Sequence, residues 1–261
     1  LGALVLAEGG DFVPPNTDIF FLPPIFGSVT KPMVLLVLSV LVIVAFFMVA
    51  ARGLKIVPSR FQFMAESVYD FSRNNIAREQ IGSKDFRPFV PLILSLFTFI
   101  LVNNLFGLIP ILQFPSMSHI GFPLALSLLV VYPVWHGVGI RRHGLGKYLK
   151  KEIFPPGVPV PVYFLLSPIE VFTKFIMNPI TLGVRVFAAM FSGHLILVLF
   201  TLAGEYLVFE SSSLMLAPVG ILSWLFAIAM TFLEALIMVL QAFIFANLAA
   251  GYIGRALSED H

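Results

Sequence analysis

Residues 161–203 read PVYFLLSPIEVFTKFIMNPITLGVRVFAAMFSGHLILVLFTLA, a run of hydrocarbon side chains with a permanent cation, Arg185, set well inside it. A guanidinium stays protonated at any physiological pH. Holding one near a bilayer midplane costs at least about 2.5–3.5 kcal/mol on insertion scales. A chain keeps such a charge where a fixed positive point is needed beside an ion pathway. The plainer reading is an arginine that snorkels to the headgroups or pairs with a buried carboxylate. Against it, eighteen mostly apolar residues separate Arg185 from Gly204. As a helix, 162–203 would be about 60 Å long, roughly twice a hydrocarbon core. The apolar stretch 214–250 would be about 55 Å long by the same measure. Pro179 is a candidate kink, but neither stretch has a polar turn cluster near its centre. Two strongly tilted, antiparallel helices are therefore expected.

Working outward, the chain has 261 residues, of which 59% are hydrophobic and 11% charged. Soluble domains carry about 25% charged residues, and mean hydropathy here is +0.98. The expected fold class is an all-α integral membrane protein whose partner is the lipid bilayer, organised as a single membrane domain. Net charge is +2 with no basic stripe, so no nucleic-acid partner is expected. The absence of cysteine excludes disulfides, thiolate metal sites and cysteine nucleophiles. No cofactor and no metal site are expected. Residues 1–7 are apolar but short and lack a cationic flank, so they are not read as a signal peptide.

Ordinary spans are expected at 33–51, 88–112 and 120–140, and long helices at 162–209 and 214–250. The connection 52–87 carries Arg52, Lys55, Arg60, Arg73, Arg78, Lys84 and Arg87, and 141–152 carries Arg141, Arg142, Lys147, Lys150 and Lys151. By contrast, 113–119 has no Lys or Arg, 204–213 has only Glu205 and Glu210, and 1–32 has Lys31 alone among its cations. Basic loops mark the cytoplasmic side. Five crossings with the N-terminal segment 1–32 outside and the C-terminus inside satisfy every loop. Within the first basic connection, 58–80 interleaves Phe61, Met64, Val68, Phe71 and Ile76 with charge, which predicts an amphipathic helix on the inner surface. The proline-rich 154–161 predicts an extended entry into the fourth span. No internal repeat is visible.

At 100° per residue, Lys174, Asn178, Arg185 and Ser192 fall on one stripe, provided the helix survives Pro179. Glu170, one turn before Lys174, joins the candidates on that inner side. His194 lies on the opposite face and shares it with Thr201 and Glu205, which lead outward. Two polar accesses that do not meet are expected. In the last span Ser223, Glu234 and Gln241 share a face. An antiparallel register turning near residues 213–214 sets Arg185 beside Gln241 and His194 beside Glu234. An imidazole beside a carboxylate exchanges protons near neutral pH; taken alone, His194 also fits a satisfied packing residue.

The run Asn178-Pro179-Ile180-Thr181-Leu182-Gly183-Val184-Arg185-Val186-Phe187-Ala188-Ala189-Met190-Phe191-Ser192-Gly193-His194 resembles the signature of subunit a of F-type ATP synthases. Leu240-Gln241-Ala242-Phe243-Ile244-Phe245 is similar to that family's last-span motif, and Leu105-Phe106-Gly107-Leu108-Ile109-Pro110 to its second-span ending. The resemblance implies a stator subunit packed against a rotating ring of small hairpin subunits (the c-ring). It also implies a b-type peripheral-stalk partner, the rest of an ATP synthase complex, and a bacterial plasma membrane. Arg185 would be the essential arginine, Gln241 its neighbour, and His194 and Glu234 the polar pair of the outer half-channel. In some members that pair is swapped. Two departures stand out: Ala189 replaces a common Asn, and His119 stands where an acid or Asn is frequent. No G-x-x-x-x-G-K-[ST] phosphate loop is present, so nucleotide chemistry lies elsewhere and the chain is not itself an enzyme.

Rival readings are a proton-coupled secondary transporter, a haem- or quinone-binding respiratory subunit and a structural scaffold. The first predicts a central substrate cavity and internal repeats. The second needs axial ligands, and His194 is the clearest midspan histidine, with His136 near a span end. A scaffold leaves Arg185 and Glu234 unexplained.

Overall fold

The computed structural model describes residues 12, 14–20, 23, 27, 29–52, 54–109, 112–154, 160–210 and 214–258. Most of 1–32, Pro110, the proline-rich 155–159 and residues 211–213, where the sequence predicts a turn, lie outside them. Among the described residues the chain is helical, and five helices are long and apolar enough to cross a membrane.

The first span, α1, is Lys31–Ala51; Thr30 opens it in an extended conformation and Pro32 occupies its first turn, where no N–H is required. Its buried positions Leu35 and Ser39 face the rest of the protein, while Val37, Leu41 and Met48 are exposed, as on a helix whose outer solvent is lipid. The amphipathic α2, Arg60–Asp70, starts at Ser59, whose hydroxyl accepts from the Gln62 N–H at 3.3 Å. It runs on through a π-helical stretch, Phe71–Arg78, to Glu79–Ile81.

The second span, α3, is Arg87–Leu105 and ends seven residues before the expected 112. Its C-terminal end tightens into a turn, Gly107 N–H to Asn104 O at 2.9 Å and Leu108 N–H to Leu105 O at 3.0 Å. Gly107 is wedged there: a Cβ on it would lie 3.1 Å from both Met238 and Pro115. Polar contacts tie α3 to its neighbours. Asn103 Nδ2 donates to Ser39 Oγ at 2.8 Å, and Asn104 Nδ2 to the Met238 carbonyl at 3.3 Å. Such bonds substitute for the hydrophobic drive that lipid cannot supply between helices.

The third span, α4, is Gly121–His143, with Leu126–Val131 wound as a π-helix just before Pro133. Gly144 ends it at φ +78° and leads into the short α5, Leu145–Ile153. The fourth span, α6, covers residues 160–210 without a break: Val160–Val171, a π-helical Phe172–Met177, Asn178–Glu205 and Tyr206–Glu210. Pro179 does not break it. A proline has no N–H for the residue four before it and its ring crowds that carbonyl; the wider π-turn immediately upstream relieves both, as at Pro133. The extra residue held in that turn also upsets the 100° count, so Lys174 leaves the Arg185 stripe.

The last span, α7, is Ala217–Leu257, 41 residues. It extends past the expected 250 because Gly251 and Gly254 are not stops. A Cβ on Gly254 would lie 2.2 Å from the Gln80 carbonyl, so this glycine lets the end of α2 rest on α7. The inner half of α7 forms the core, with Met238, Ala242, Phe245, Ala246, Ala249, Ala250 and Ile253 buried among Ile76 and Ala77, Ile93 and Ile100, and Val131 and Trp135. Small residues permit that close approach. Toward its N-terminus, α7 pairs with α6: Ser223 Oγ donates to the Phe200 carbonyl at 2.8 Å and Trp224 Nε1 to the Thr201 carbonyl at 3.3 Å.

Candidate functional site

The paired outer halves of α6 and α7 present one uncovered face. On α6 it consists of Thr181, Arg185, Ala188, Ser192 and Ile196, a single helical stripe. On α7 it consists of Ile221, Leu225, Ile228, Phe232, Leu236 and Val239, with Phe232 76% exposed. Arg185 is the cation of that face. Among the described residues it has no ion pair and no side-chain hydrogen bond. Its charge is thus available to a group outside the chain.

Away from that face, His194 and Glu234 meet. Their side chains are 12% and 3% exposed, with His194 Nδ1 3.9 Å from Glu234 Oε1. That is beyond hydrogen-bond length, a gap that a small side-chain rotation closes. His194 Nδ1 and both Glu234 carboxylate oxygens are buried with no hydrogen-bond partner in the protein. Buried polar atoms in that condition are rare and mark functional positions or internal water. Gln241, two turns along α7, is half-buried with its Oε1 in the same condition. Arg185 lies nine residues before His194 on α6 and Gln241 seven residues after Glu234 on the antiparallel α7, so both stand on the same side of that contact.

A cavity of about 320 Å³ begins at His194 and is lined by Thr201, Glu205, Gln113 and Thr231. Thr201 and Glu205 line it together with His194, the three residues that helical counting set on one face. Gln113 and Thr231 were missed. Thr231 lies three residues before Glu234, a spacing that carries a signal; Gln113 sits in a turn at φ +41°, which periodicity does not reach. His119, in the turn before α4, is held below the usual imidazole range by burial, partly offset by a hydrogen bond with the Phe20 backbone.

The inner candidates behave differently. Lys174 Nζ lies 3.1 Å from Glu170 Oε2, 3.2 Å from Glu152 Oε2 and 3.0 Å from the Glu152 carbonyl. Glu152, on α5, is 8% exposed and was not anticipated. Asn178 opens the α-helical segment after the π-turn and is half-buried. The structure therefore joins Lys174 to Glu170 and Glu152 but not to Arg185.

The family model described as "ATP synthase A chain" matches residues 33–254. A relative in Nocardioides sp. named "ATP synthase subunit a" is 44% identical, covering 98% of this chain and 96% of the relative. Proteins of the same name in Pseudarthrobacter chlorophenolicus and Rhodococcus erythropolis are 43% and 40% identical, covering 99% and 96% of this chain and 98% and 92% of theirs. These relatives are bacterial, and with five apolar spans the chain is a multi-pass plasma-membrane protein. A buried His–Glu contact and an exposed arginine on the α6–α7 face thus occur in a chain that belongs to the ATP synthase subunit a family.

Proposed function

We propose that this chain is the stator subunit of a rotary ATP synthase, supplying two offset proton half-channels to a ring of small hairpin subunits. The single observation that carries this is the placement of His194 and Glu234. They stand buried and unmatched by the protein, with His194 lining a cavity, and His194 is about 14 Å along the helix from Arg185, which has no ion pair and no side-chain hydrogen bond among the described residues.

A ring carboxylate facing lipid is neutral, because a bare anion there is too costly. Near Arg185 it ionises, since an opposite charge within about 4–6 Å favours the anion. Protons enter from outside past Glu205, pass His194 and Glu234 and neutralise the carboxylate. After nearly a full turn the carboxylate returns toward Arg185 and releases its proton to the inner access, with Asn178, Lys174 and Glu170 on that side. Gln241 flanks the guanidinium. Arg185 blocks direct passage between the accesses by repelling protons and interrupting any water wire. Each proton crossing 100 mV supplies about 2.3 kcal/mol, so several are needed per ATP. The ring packs on the uncovered α6–α7 face, a b-type stalk subunit holds the chain against torque, the N-terminus lies outside and the C-terminus is cytoplasmic. The stripe around Arg185 and the apolar stripe of α7 support that docking, and no internal repeat favours the transporter alternative.

Arg185→Ala in the assembled complex tests this reading. Coupled ATP synthesis is expected to be lost, while protons still leak through the membrane sector once the catalytic head is stripped off. Synthesis at the normal rate in that variant would overturn it.

A further inference from the structure

One buried titratable cluster is not used by this mechanism. His136 of α4 belongs to a column of flat groups. Phe175, from the π-turn of α6, lies over the imidazole with centroids 4.9 Å apart and planes 4° apart. Trp135 lies 4.4 Å from His136 on the other side, and Tyr252 of α7 stacks on Trp135 at 4.8 Å. The Arg255 guanidinium caps Tyr252 at 4.9 Å. The column binds three spans together and fixes the plane of the imidazole.

His136 Nδ1 is 2.7 Å from the hydroxyl of Tyr148 on α5. The Tyr148 ring is pressed against Gly139, where a Cβ would lie 2.2 Å from Tyr148 Cε2. His136 Nε2 and Trp135 Nε1 are buried with no partner in the protein. At one end of the cluster Tyr252 is within electrostatic reach of Arg185; at the other, Tyr148 is within reach of Glu152. The pair therefore lies between the arginine and the Glu152–Lys174–Glu170 ion cluster. Packing alone does not call for an imidazole bonded through one nitrogen and unsatisfied at the other. A phenylalanine would stack as well without burying an unmatched polar atom.

We propose that His136 and Tyr148 carry protons along the last part of the inner access, between the Arg185 side and Glu152. A proton arriving at Nε2 makes the imidazolium. The Nδ1 proton then moves to the Tyr148 oxygen as the phenol's own proton leaves toward Glu152, so one proton enters, one leaves and neither residue keeps a charge. Burial, and then the charge of Glu152 and the neighbouring Tyr132, push the Tyr148 phenol up from its ordinary value. It therefore conducts as a neutral hydroxyl. The relay rests on the two-access reading above and adds its residues.

Tyr148→Phe keeps the ring against Gly139 and removes only the hydroxyl. In assembled complexes in inverted vesicles, ATP-driven proton pumping is expected to fall roughly tenfold, with normal amounts of complex and an enlarged solvent deuterium isotope effect. His136→Gln should give a similar loss, and the double variant little more, because the two act in series. Pumping at the wild-type rate with an unchanged isotope effect would overturn the relay. So would losses that only track a reduced amount of complex, or losses that add. Arg185→Ala, run in parallel, separates the two claims. A normal Tyr148→Phe beside an uncoupled Arg185→Ala removes the relay alone, whereas a coupled Arg185→Ala removes the two-access reading itself.

Discussion

At the outer end of the α6–α7 pair, His194 and Glu234 lie 3.9 Å apart with their facing polar atoms unmatched by the protein. At the inner end of α6, Lys174 is bound within 3.2 Å to two carboxylates and a carbonyl. The same helix thus carries one polar pair left open and one closed. A group whose hydrogen-bonding capacity is spent on fixed neighbours anchors structure. A buried group with capacity to spare exchanges it with water or with a passing proton. The outer end is built for exchange beside a cavity, and Lys174 is built to hold α5 against α6.

That contrast can be broken most sharply at the outer pair. Alanine at either His194 or Glu234 is expected to cut proton flux by roughly a hundredfold, and the double variant to lose little beyond either single change. The cycle is read from pumping rates in vesicles, and additive losses would show that the two residues act separately. A smaller effect is expected at the closed end. Lys174→Met leaves Glu152 and Glu170 facing each other without a cation, with Glu152 only 8% exposed. The partner's own 26% exposure moderates the cost, to about 1–3 kcal/mol. It should appear as faster hydrogen exchange of the 145–153 amides while flux falls only about twofold. A flux loss as deep as that of the outer pair, with α5 still protected, would erase the distinction between the two ends.

The long apolar runs made two long helices legible, 48 and 41 residues in the structure. Antiparallel counting from a turn near 213–214 was enough to pair His194 with Glu234. That argument works because His194 and Glu234 both lie inside α-helical segments, Asn178–Glu205 and Ala217–Leu257. It failed at Lys174, where the π-turn before Pro179 adds a residue that a periodic count cannot see. The end of the last span, expected at 250, lies further on for another reason: Gly251 and Gly254 sit inside the helix. A glycine that ends a helix and a glycine that admits a neighbouring backbone look alike until α2 is placed. Glu152 and Tyr148 were hidden on a short helix joined to α6 through prolines, and their partners are tertiary contacts without a local signal. Arg185 was legible at once, because a permanent charge inside hydrocarbon has few explanations.

The chain has no cysteine, which makes side-specific labelling the most direct test that two separate accesses open to opposite compartments. Thr201→Cys, in the outer cavity, and Asn178→Cys, on the inner side, would each be treated with a membrane-impermeant thiol reagent from one face at a time. Labelling of Thr201→Cys only from outside and of Asn178→Cys only from inside is the predicted result. Labelling of either position from both sides would mean a continuous pore past Arg185 and would contradict the account.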